Sequence, residues 1–242
     1  WPAMEIRRVT PDDRPRILGL LRTSLGWGTD PRYEQVFAWK HDENPFGPSP
    51  AWVALENDRI VGFRTFMRWE FAYCGDVVRA VRAVDTATHP DYQGQGILRR
   101  LTLHALDGLR DEGVAFVFNT PNHRSRPGYL KMGWQVLGRV PLRFQPHSLR
   151  AVWKLARARA PADRWPLQAN AMPGRPAVEV FADSESVENL VAAIPASSQL
   201  TTRRNARYLA WRYGLPALGY RVFQLGTDTA AGLTVFRLRK RG

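Results

Sequence analysis

The most informative stretch of the sequence is Thr86-Ala87-Thr88-His89-Pro90-Asp91-Tyr92-Gln93-Gly94-Gln95-Gly96-Ile97-Leu98-Arg99-Arg100, where two glycines separate a strand pattern from a helix pattern. A diphosphate is bound by several converging main-chain N–H groups, and side chains at the bend would keep it away. Gly94 and Gly96 remove that obstacle, and the following helix adds the free N–H groups of its first turn. Two glycines alone often only make a turn. The preceding strand, the following helix and the pair Arg99-Arg100 together favour a phosphate-binding loop.

The residues on either side of this loop show clear periodicity. Val77 to Thr88 predicts a long strand, Leu98 to Leu109 a helix, and Val114 to Phe118 a second, wholly apolar strand. Strand, helix and strand in this order require a parallel crossover, which is right-handed as a rule. Ligands of such sheets bind where parallel strands end and helices begin.

Further elements are predicted from periodicity and turn residues. They are helices at 13–25 and 31–40, strands at 52–55 and 60–69, a short helix at 124–131 and a strand at 135–144. Asn57-Asp58 predicts the hairpin turn between the first two strands, and Asp12 or Asp13 can cap the first helix. The sequence therefore predicts an α/β fold of the α+β kind with a mixed sheet.

The domain organisation is predicted from a change in composition and a weak internal repeat. Residues 1–145 form the first domain, residues 146–176 a basic helix and a linker rich in Pro, Ala and Arg, and residues 177–242 a smaller second domain. Phe37-Ala38-Trp39-Lys40 is echoed by Leu209-Ala210-Trp211-Arg212, and each is followed by a Pro and Gly turn and two strand patterns. We interpret the second domain as a partial copy of the front of the first. The helix at 147–160 has few apolar anchors, so a packing or connecting helix is favoured over a membrane-surface helix.

The charge balance is basic, with 35 Lys and Arg against 22 Asp and Glu, or a net +13. Such a charge attracts phosphates, acidic carrier proteins or nucleic acid. No zinc-finger spacing, basic zipper or aromatic RNA-binding signature accompanies it, so a nucleic-acid partner is not expected. A solvated basic surface accounts for most of these charges.

Neither a membrane span nor a metal site is predicted. No apolar run approaches the ~20 residues of a membrane helix, and the first residues lack the layout of a signal peptide, which gives a cytoplasmic expectation. Cys74 is the only cysteine, so it has no partner for an internal disulfide or a zinc site.

Two motifs together make the sequence resemble the GNAT superfamily of acyl-CoA N-acyltransferases. The first is Gln93-Gly94-Gln95-Gly96-Ile97-Leu98, against the family pattern Gln/Arg-x-x-Gly-x-Gly/Ala, from which Leu98 departs. The second is Asn122 followed by Tyr129 and then by Gly133-Trp134, at the family's spacing. The resemblance covers Arg7 to Phe144. It implies a mixed sheet with a splayed central parallel strand pair, and a smaller, partial GNAT-like repeat that follows the first domain in the sequence.

The resemblance also implies roles for individual residues. Main-chain groups of Ala87 and Thr88 would hold the pantetheine arm and polarise the thioester carbonyl, and Tyr129 would protonate the departing thiolate as general acid. Asn122 would bind the pantetheine arm or a water, although capping of the next helix is an alternative. A buried ring with a satisfied hydroxyl is the structural alternative for Tyr129. The residues expected to bind the diphosphate are Gln93, Gly94, Gln95, Gly96, Ile97, Leu98 and Arg99.

The general base is the least determined part of the site. Asp85 is the candidate, because a charged residue in an apolar strand is costly to place. A salt bridge to Arg82 or Arg79 would explain it equally. His89 and His123 lie close in sequence, but each fits a cap or surface residue better.

The predicted function is transfer of an acetyl or longer acyl group from acyl-CoA, or from a carrier-protein thioester, to a primary amine. The amine belongs to a small molecule, a sugar or a peptide. Acetyl-CoA or a longer acyl-CoA is the expected co-substrate, with no metal, and an acidic acyl carrier protein and a homodimer are the macromolecular partners considered. The alternative is a noncatalytic acyl-CoA-binding or scaffold module of a tandem GNAT protein.

Overall fold

The main sheet is a mixed sheet whose strands follow one another in chain order. The computed structural model describes residues 4–141, 145, 148–157, 163–167, 172–195, 197–226 and 231–240. The sheet contains β1 (Glu5–Arg8), β2 (Ala51–Glu56), β3 (Arg59–Tyr73), β4 (Asp76–Thr88) and β5 (Phe116–Phe118). Neighbouring strands are antiparallel except β4 and β5, which are parallel. The predicted α/β fold with a mixed sheet and a parallel crossover is confirmed.

Helices cover both faces of this sheet. α1 (Arg14–Leu25) and α2 (Arg32–His41) lie on one face, and α3 (Ile97–Asp111) lies on the other. The alternation along β2 shows why, since Val53 and Leu55 belong to the core under α1 while Trp52 and Ala54 belong to the core under α3. The short helix α4 (Arg126–Lys131) follows β5.

The hairpin between β2 and β3 follows its sequence signal. Asn57 and Asp58 both have positive φ, 48° and 63°, as a two-residue hairpin turn requires. β3 and β4 then pair over nearly their whole length, from Gly62↔Thr88 to Tyr73↔Asp76. This long pair is the centre of the molecule.

The predicted strand at 135–144 is wrong where the structure describes it. Residues 135–141 are coil, with Leu137 94% and Val140 72% exposed, and residues 142–144 lie outside the described residues. Gly138 interrupts the strand pattern and Pro141 has no N–H for a ladder, so the segment does not pair with the outer edge of β5. β5 itself is shorter than predicted, and β1 was not predicted.

The C-terminal region is a set of short helices and strands. They are α5 (Leu149–Arg157), β6 (Arg175–Pro176), α6 (Ala177–Val180), α7 (Ser184–Ala192), β7 (Thr201–Thr202), α8 (Ala206–Gly214), β8 (Arg221–Gln224) and β9 (Leu233–Phe236). β6, β8 and β9 form a small sheet, whereas β7 joins the main sheet beside β3. The predicted helix at 147–160 corresponds to α5, and residues 147 and 158–160 lie outside the described residues.

A shared apolar core joins this region to the first domain. Val36, Trp39 and Met67 pack in one cluster with residues of α6, α7 and α8. At its centre the Trp39 and Trp211 rings stack at 4.9 Å, each indole N–H donating to the other residue's carbonyl at 2.7 Å. Each buried indole N–H is therefore paired, as such groups usually are.

Two features are absent from the residues that the structure describes. None of the helices there has both the length and the apolar character that a membrane crossing needs. The described His, Cys, Asp and Glu side chains form no group of three that could hold a metal ion.

Asp13 fixes the start of α1 through a fully buried carboxylate. It accepts hydrogen bonds from both terminal nitrogens of Arg7, at 2.6 and 3.0 Å, and from Arg16 at 2.7 Å. It also accepts from the main-chain N–H and the hydroxyl of Thr10, which completes a capping box. The Arg7 guanidinium, helped by the Thr10 and Arg16 bonds, holds the pKa of Asp13 well below its usual value, although burial opposes this.

We expect Asp13→Asn to lower the free energy of unfolding at pH 7 by about 3 kcal/mol, because it breaks a buried charged pair. The folded pKa of Asp13 is depressed, so its contribution is complete above the unfolded pKa, about 4, and is lost as pH falls towards the folded pKa. The difference between wild type and variant should therefore shrink below about pH 4. Urea unfolding at several pH values measures this.

The matched control is Asp12→Asn, which removes the same charge from the exposed neighbouring residue. Equal losses in the two variants would show that the buried network of Asp13 does not stabilise the fold.

Candidate active site

The loop after β4 presents unpaired main-chain N–H groups to open space. A short 3-10 turn over Pro90–Tyr92 leads to Gly94 and Gly96, whose φ angles are 79° and 72°. A Cβ on either glycine would meet nothing within 4 Å, so both are needed for backbone conformation, not for packing. Within the described residues no acceptor is found for the main-chain N–H groups of residues 94–96. With the first turn of α3, they supply free N–H groups of the kind that bind anions in other proteins.

The direction of α3 is set by a close contact with β3. A Cβ on Gly62 would lie 2.5 Å from Cγ2 of Ile97 and 3.0 Å from Cδ1 of Leu101. Ile97 and Leu101 are both buried in the core under α3. Because Gly62 pairs with Thr88 in the sheet, the first turn of α3 lies beside the end of β4.

The parallel strands β4 and β5 separate after a short paired stretch. Their register covers Ala80↔Phe116 to Arg82↔Phe118 and no residue beyond. Past that point β4 carries a bulge, because Asp85 and Thr86 both stand opposite Arg64, and Asp85 has a φ of 43°. A cavity of about 940 Å³ opens at this separation. The splayed parallel pair implied by the resemblance is confirmed.

Tyr129 lies in the wall of this cavity, where it meets an arginine. Its side chain is largely buried, and its hydroxyl oxygen accepts a hydrogen bond of 2.8 Å from Nη1 of Arg64. The same nitrogen donates to the Thr86 hydroxyl. Since the phenol oxygen is the acceptor of the Arg64 bond, its own proton remains available to another group.

Arg64 is itself an unusual residue, because it is fully buried without a carboxylate partner. Its Nε and Nη2 have no hydrogen-bond partner among the described residues, and its guanidinium lies over the rings of Phe66 and Tyr129. Burial lowers the pKa of Arg64, while Tyr129 opposes this. A buried cation with unused donors is expensive, which makes Arg64 a candidate functional residue.

Asp85 has partners other than those predicted. Its carboxylate pairs with the Lys40 ammonium and lies 2.9 Å from Nε2 of His41, so neither Arg82 nor Arg79 is its partner. Burial raises the pKa of Asp85, but the Lys40 and His41 contacts outweigh it and hold the pKa below its usual value. Asp85 is therefore ionised at neutral pH.

His41 continues this chain of polar groups away from the cavity. Burial lowers the pKa of His41, although Asp85 opposes this, and the imidazole is therefore neutral at pH 7. It then donates from Nε2 to Asp85 and accepts at Nδ1 from the Ser49 hydroxyl at 3.0 Å. The network fixes Asp85 from behind and leaves Lys40 at the cavity wall.

The structure brings together most of the predicted site residues. Those that line the cavity are Asp85, Ala87, Thr88, Gln93, Leu98, Asn122 and Tyr129. Gly94, Gln95, Gly96 and Arg99 lie at the exposed loop and the start of α3, whereas the side chain of Ile97 points into the core. Ile97 could therefore contact a ligand through its main-chain N–H but not through its side chain.

Asn122 has the capping geometry that was the alternative prediction. Its Oδ1 accepts from the main-chain N–H groups of Arg124 and Ser125 at 3.0 and 2.9 Å and from the Ser125 hydroxyl. A role in ligand binding stays a prediction.

Sequence reasoning missed Arg64, Lys40 and His41. Arg64 carried a usable signal, since it is a charged residue inside the apolar run from Ile60 to Phe66, the same signal that pointed to Asp85. Lys40 and His41 end an amphipathic helix, where basic residues are ordinary, so nothing local distinguished them.

Comparison with known proteins identifies a family for residues 5–137. The family model described as the acetyltransferase (GNAT) domain matches residues 5–137. Among the curated proteins compared, none matches the sequence.

Several solved structures are similar to part of the chain. An acetyltransferase of Trypanosoma brucei is 20% identical, covering 59% of this chain and 99% of that chain, with a TM-score of 0.47. Glucosamine-6-phosphate N-acetyltransferase of Arabidopsis thaliana is 16% identical, covering 59% of this chain and 98% of that chain, with a TM-score of 0.46. A predicted acetyltransferase of Clostridium acetobutylicum, solved with acetyl-CoA, is 20% identical, covering 58% of this chain and 96% of that chain, with a TM-score of 0.48.

The family assignment therefore depends on the family model, which spans more than half of the 242 residues and includes the glycine loop, Asp85 and Tyr129. It confirms the resemblance read from the two motifs: the chain belongs to the GNAT acetyltransferases, a family of N-acyltransferase enzymes that use acetyl-CoA.

Proposed function

We propose that this enzyme transfers an acyl group, acetyl or longer, from acyl-CoA to a primary amine of a small molecule, sugar or peptide. The observation that carries the proposal is the position of the Tyr129 hydroxyl in the wall of the cavity between β4 and β5, held as acceptor by Arg64 with its own proton unused. That cavity begins at the glycine loop and extends to Lys40 and Asp85.

The glycine loop and the open edge of β4 support the proposal that one half of the cavity binds the acyl-CoA donor. The N–H groups of residues 94–96 and the first turn of α3 would bind the diphosphate. Residues 83–88 of β4 have no partner on β5, so those main-chain groups that face the gap are available to the pantetheine arm and the thioester carbonyl. N–H groups directed at a developing oxyanion are worth about 3 kcal/mol each in other acyl transfers.

The reaction forms a bond from the amine nitrogen to the acyl carbon and breaks the bond from that carbon to sulfur. The nitrogen loses one proton and the sulfur gains one. Tyr129 would supply the proton to sulfur, and Arg64 would keep its hydroxyl turned towards the cavity and stabilise the phenolate left behind.

Asp85 remains the proposed acceptor of the amine proton. A carboxylate with a lowered pKa is too weak a base to deprotonate a free ammonium, so the acceptor would attack as the neutral amine. Asp85 would then take one proton from the nitrogen after bond formation has made that nitrogen strongly acidic. Lys40, the partner of Asp85 at the cavity wall, would keep the carboxylate in place.

We also propose that residues 177–242 are a partial second copy of the front of the first domain, joined to it through residues 146–176. Trp39 and Trp211 occupy the same place in the repeated tetrapeptides, and their hydrogen bonds are reciprocal. Reciprocal contacts of this kind arise when two like elements meet across a two-fold axis. Both α2 and α8 are followed by a turn and strands.

Tyr129→Phe tests the general acid. We expect kcat with acetyl-CoA and an amine acceptor to fall about 100-fold, because proton transfer to the leaving thiolate is lost, with little change in acetyl-CoA affinity. Thiol release measures the rate and calorimetry the affinity. Equal rates in wild type and variant would remove Tyr129 from the mechanism.

Arg64→Met separates the function of Arg64 from any structural role. Methionine fills a similar volume without the buried charge, so the free energy of unfolding should be unchanged or rise by about 1 kcal/mol. We expect kcat to fall at least about tenfold because the Tyr129 hydroxyl loses its donor. In the double variant Arg64→Met with Tyr129→Phe, kcat should be little lower than in Tyr129→Phe alone, since Arg64 acts through the Tyr129 hydroxyl. Fully additive losses would contradict the coupling.

Gly62→Ala tests the contact that positions the donor site. The new methyl group would clash with Ile97 and displace the first turn of α3 from the end of β4. We expect the dissociation constant of acetyl-CoA to rise about tenfold or more, measured by calorimetry, because misaligned N–H groups bind the diphosphate poorly.

The control is Gly19→Ala in α1, where a Cβ meets nothing within 4 Å. It should keep wild-type affinity and gain up to about 1 kcal/mol in unfolding free energy. An unchanged affinity in Gly62→Ala would show that the contact with Ile97 does not position the donor site.

A further inference from the structure

The cavity carries a group of arginines that the proposed chemistry does not use. Five arginines line it together with Lys40, and among the described lining residues Asp85 is the only acid. The five are Arg82, Arg164, Arg212, Arg237 and Arg239. Asp85 is already held by Lys40 and His41, so it does not neutralise them.

These arginines are held in place without carboxylates. Within the described residues none of the five forms an ion pair. Arg164 lies 4.8 Å over the Tyr33 ring, and Arg237 lies 5.1 Å over the Tyr220 ring. Arg212 donates to the Tyr220 hydroxyl at 3.2 Å. Arg82 donates to the Thr120 hydroxyl at 2.9 Å. Contacts with aromatic rings and hydroxyls position these four guanidinium groups without neutralising their charge.

The arginines also repel one another. Burial lowers the pKa of Arg82, and the Arg212 charge adds to the effect. Burial likewise lowers the pKa of Arg237, with Arg239 and Arg212 contributing. Nε of Arg237 is buried and has no acceptor in the described part of the chain. A cluster of like charges with an unused buried donor is relieved by an anion.

Arg82 and Arg212 lie away from the diphosphate end of the cavity. Arg82 is six residues before Thr88 on β4, which corresponds to about 20 Å along a strand. The glycine loop begins beyond Thr88, whereas Arg82 lies within reach of the Arg212 charge. Tyr129 and Asp85 lie between these ends, since Arg64 bonds Thr86 and Tyr129 in the middle of this stretch. Arg82 and Arg212 are therefore on the side of the cavity where the acceptor would bind.

We propose that the acceptor is an anionic amine that carries a phosphate group, which these arginines bind. The inference rests on the proposed acyl transfer and names its substrate class. Guanidinium groups bind phosphate oxygens in pairs, and several of them converge here on a concave site. A concave cavity of about 940 Å³ is the kind of site that binds a small molecule, whereas a carrier protein is too large to enter it. Phosphate recognition at Arg82 and Arg212 would place the amine close to Asp85.

The experiment measures acetyl transfer with two matched pairs of acceptors. They are ethanolamine with O-phosphoethanolamine, and glucosamine with glucosamine 6-phosphate. We expect kcat/KM to be at least about tenfold higher for the phosphorylated member of at least one pair. Arg212→Gln should reduce that preference about tenfold to a hundredfold, the usual effect of losing a hydrogen bond to a charged group.

The matched control is Arg207→Gln, which removes the same charge from an exposed position of the same helix, α8, outside the cavity. It should keep the wild-type preference. Equal use of both members in both pairs, or a preference that Arg212→Gln does not reduce, would overturn the inference. A loss of equal size in Arg207→Gln would do the same, because net charge would then explain the preference.

Acetyl-CoA affinity, measured by calorimetry in wild type and Arg212→Gln, distinguishes this inference from the proposed function. If wild type binds acetyl-CoA but shows no phosphate preference, only the acceptor class is wrong. If it does not bind acetyl-CoA, both proposals are wrong. Weaker acetyl-CoA binding in Arg212→Gln would assign the arginine to the donor. Preferential use of an acetylated carrier protein, lost in Arg212→Gln, would assign it to that protein. Either result overturns the inference.

Discussion

The contact between Gly62 and the first turn of α3 is the constraint on which the site depends. A β-strand and a helix normally pack with side chains between them, but here Ile97 and Leu101 reach the backbone of β3 directly. The helix is thereby brought close to the sheet at the point where β4 ends. The first turn consequently lies beside the gap between β4 and β5, where Leu98 lines the cavity. Gly94 and Gly96 then need only provide the positive φ angles that connect strand to helix.

The second constraint is polar and works against stability. The bulge that places Asp85 and Thr86 opposite Arg64 puts two costly residues at the same level of the sheet: Asp85, whose φ is positive, and Arg64, whose buried guanidinium keeps two nitrogens without a partner among the described residues. Both features are costly in an ordinary core. They are tolerated because the antiparallel pairing of β3 with β4 continues on either side of the bulge, which holds the distorted residues between regular stretches. Strain and unsatisfied donors thus coincide with the place where the reacting groups would meet.

Sequence patterns predicted most of the first domain because its elements are specified locally. α1, α2, the hairpin at Asn57-Asp58, β4 and α3 each have a strong period or turn signal, and each is present close to its predicted bounds. β1 was missed because four residues show too little alternation and their pairing with β2 is remote in the sequence. The strand expected at 135–144 is the opposite case, because a strand pattern was present but no strand formed. The apolar residues of the described part, 135–141, pair with no strand among the described residues.

The same distinction explains the site. The glycine loop and Tyr129 are recognisable because local spacing carries their meaning. The partners of Asp85 are 44 and 45 residues away, and the donor to Tyr129 is 65 residues away, so no local pattern could have identified them. The C-terminal region is the extreme case, because Trp211 stacks on Trp39 and Arg203 pairs with Glu70 over more than 100 residues. α8 cannot contribute Arg212 to the cavity unless this packing is in place, since the same helix carries Trp211 in the shared core. The C-terminal region thus supplies part of the cavity wall through a core to which, among the described residues, the glycine loop does not contribute.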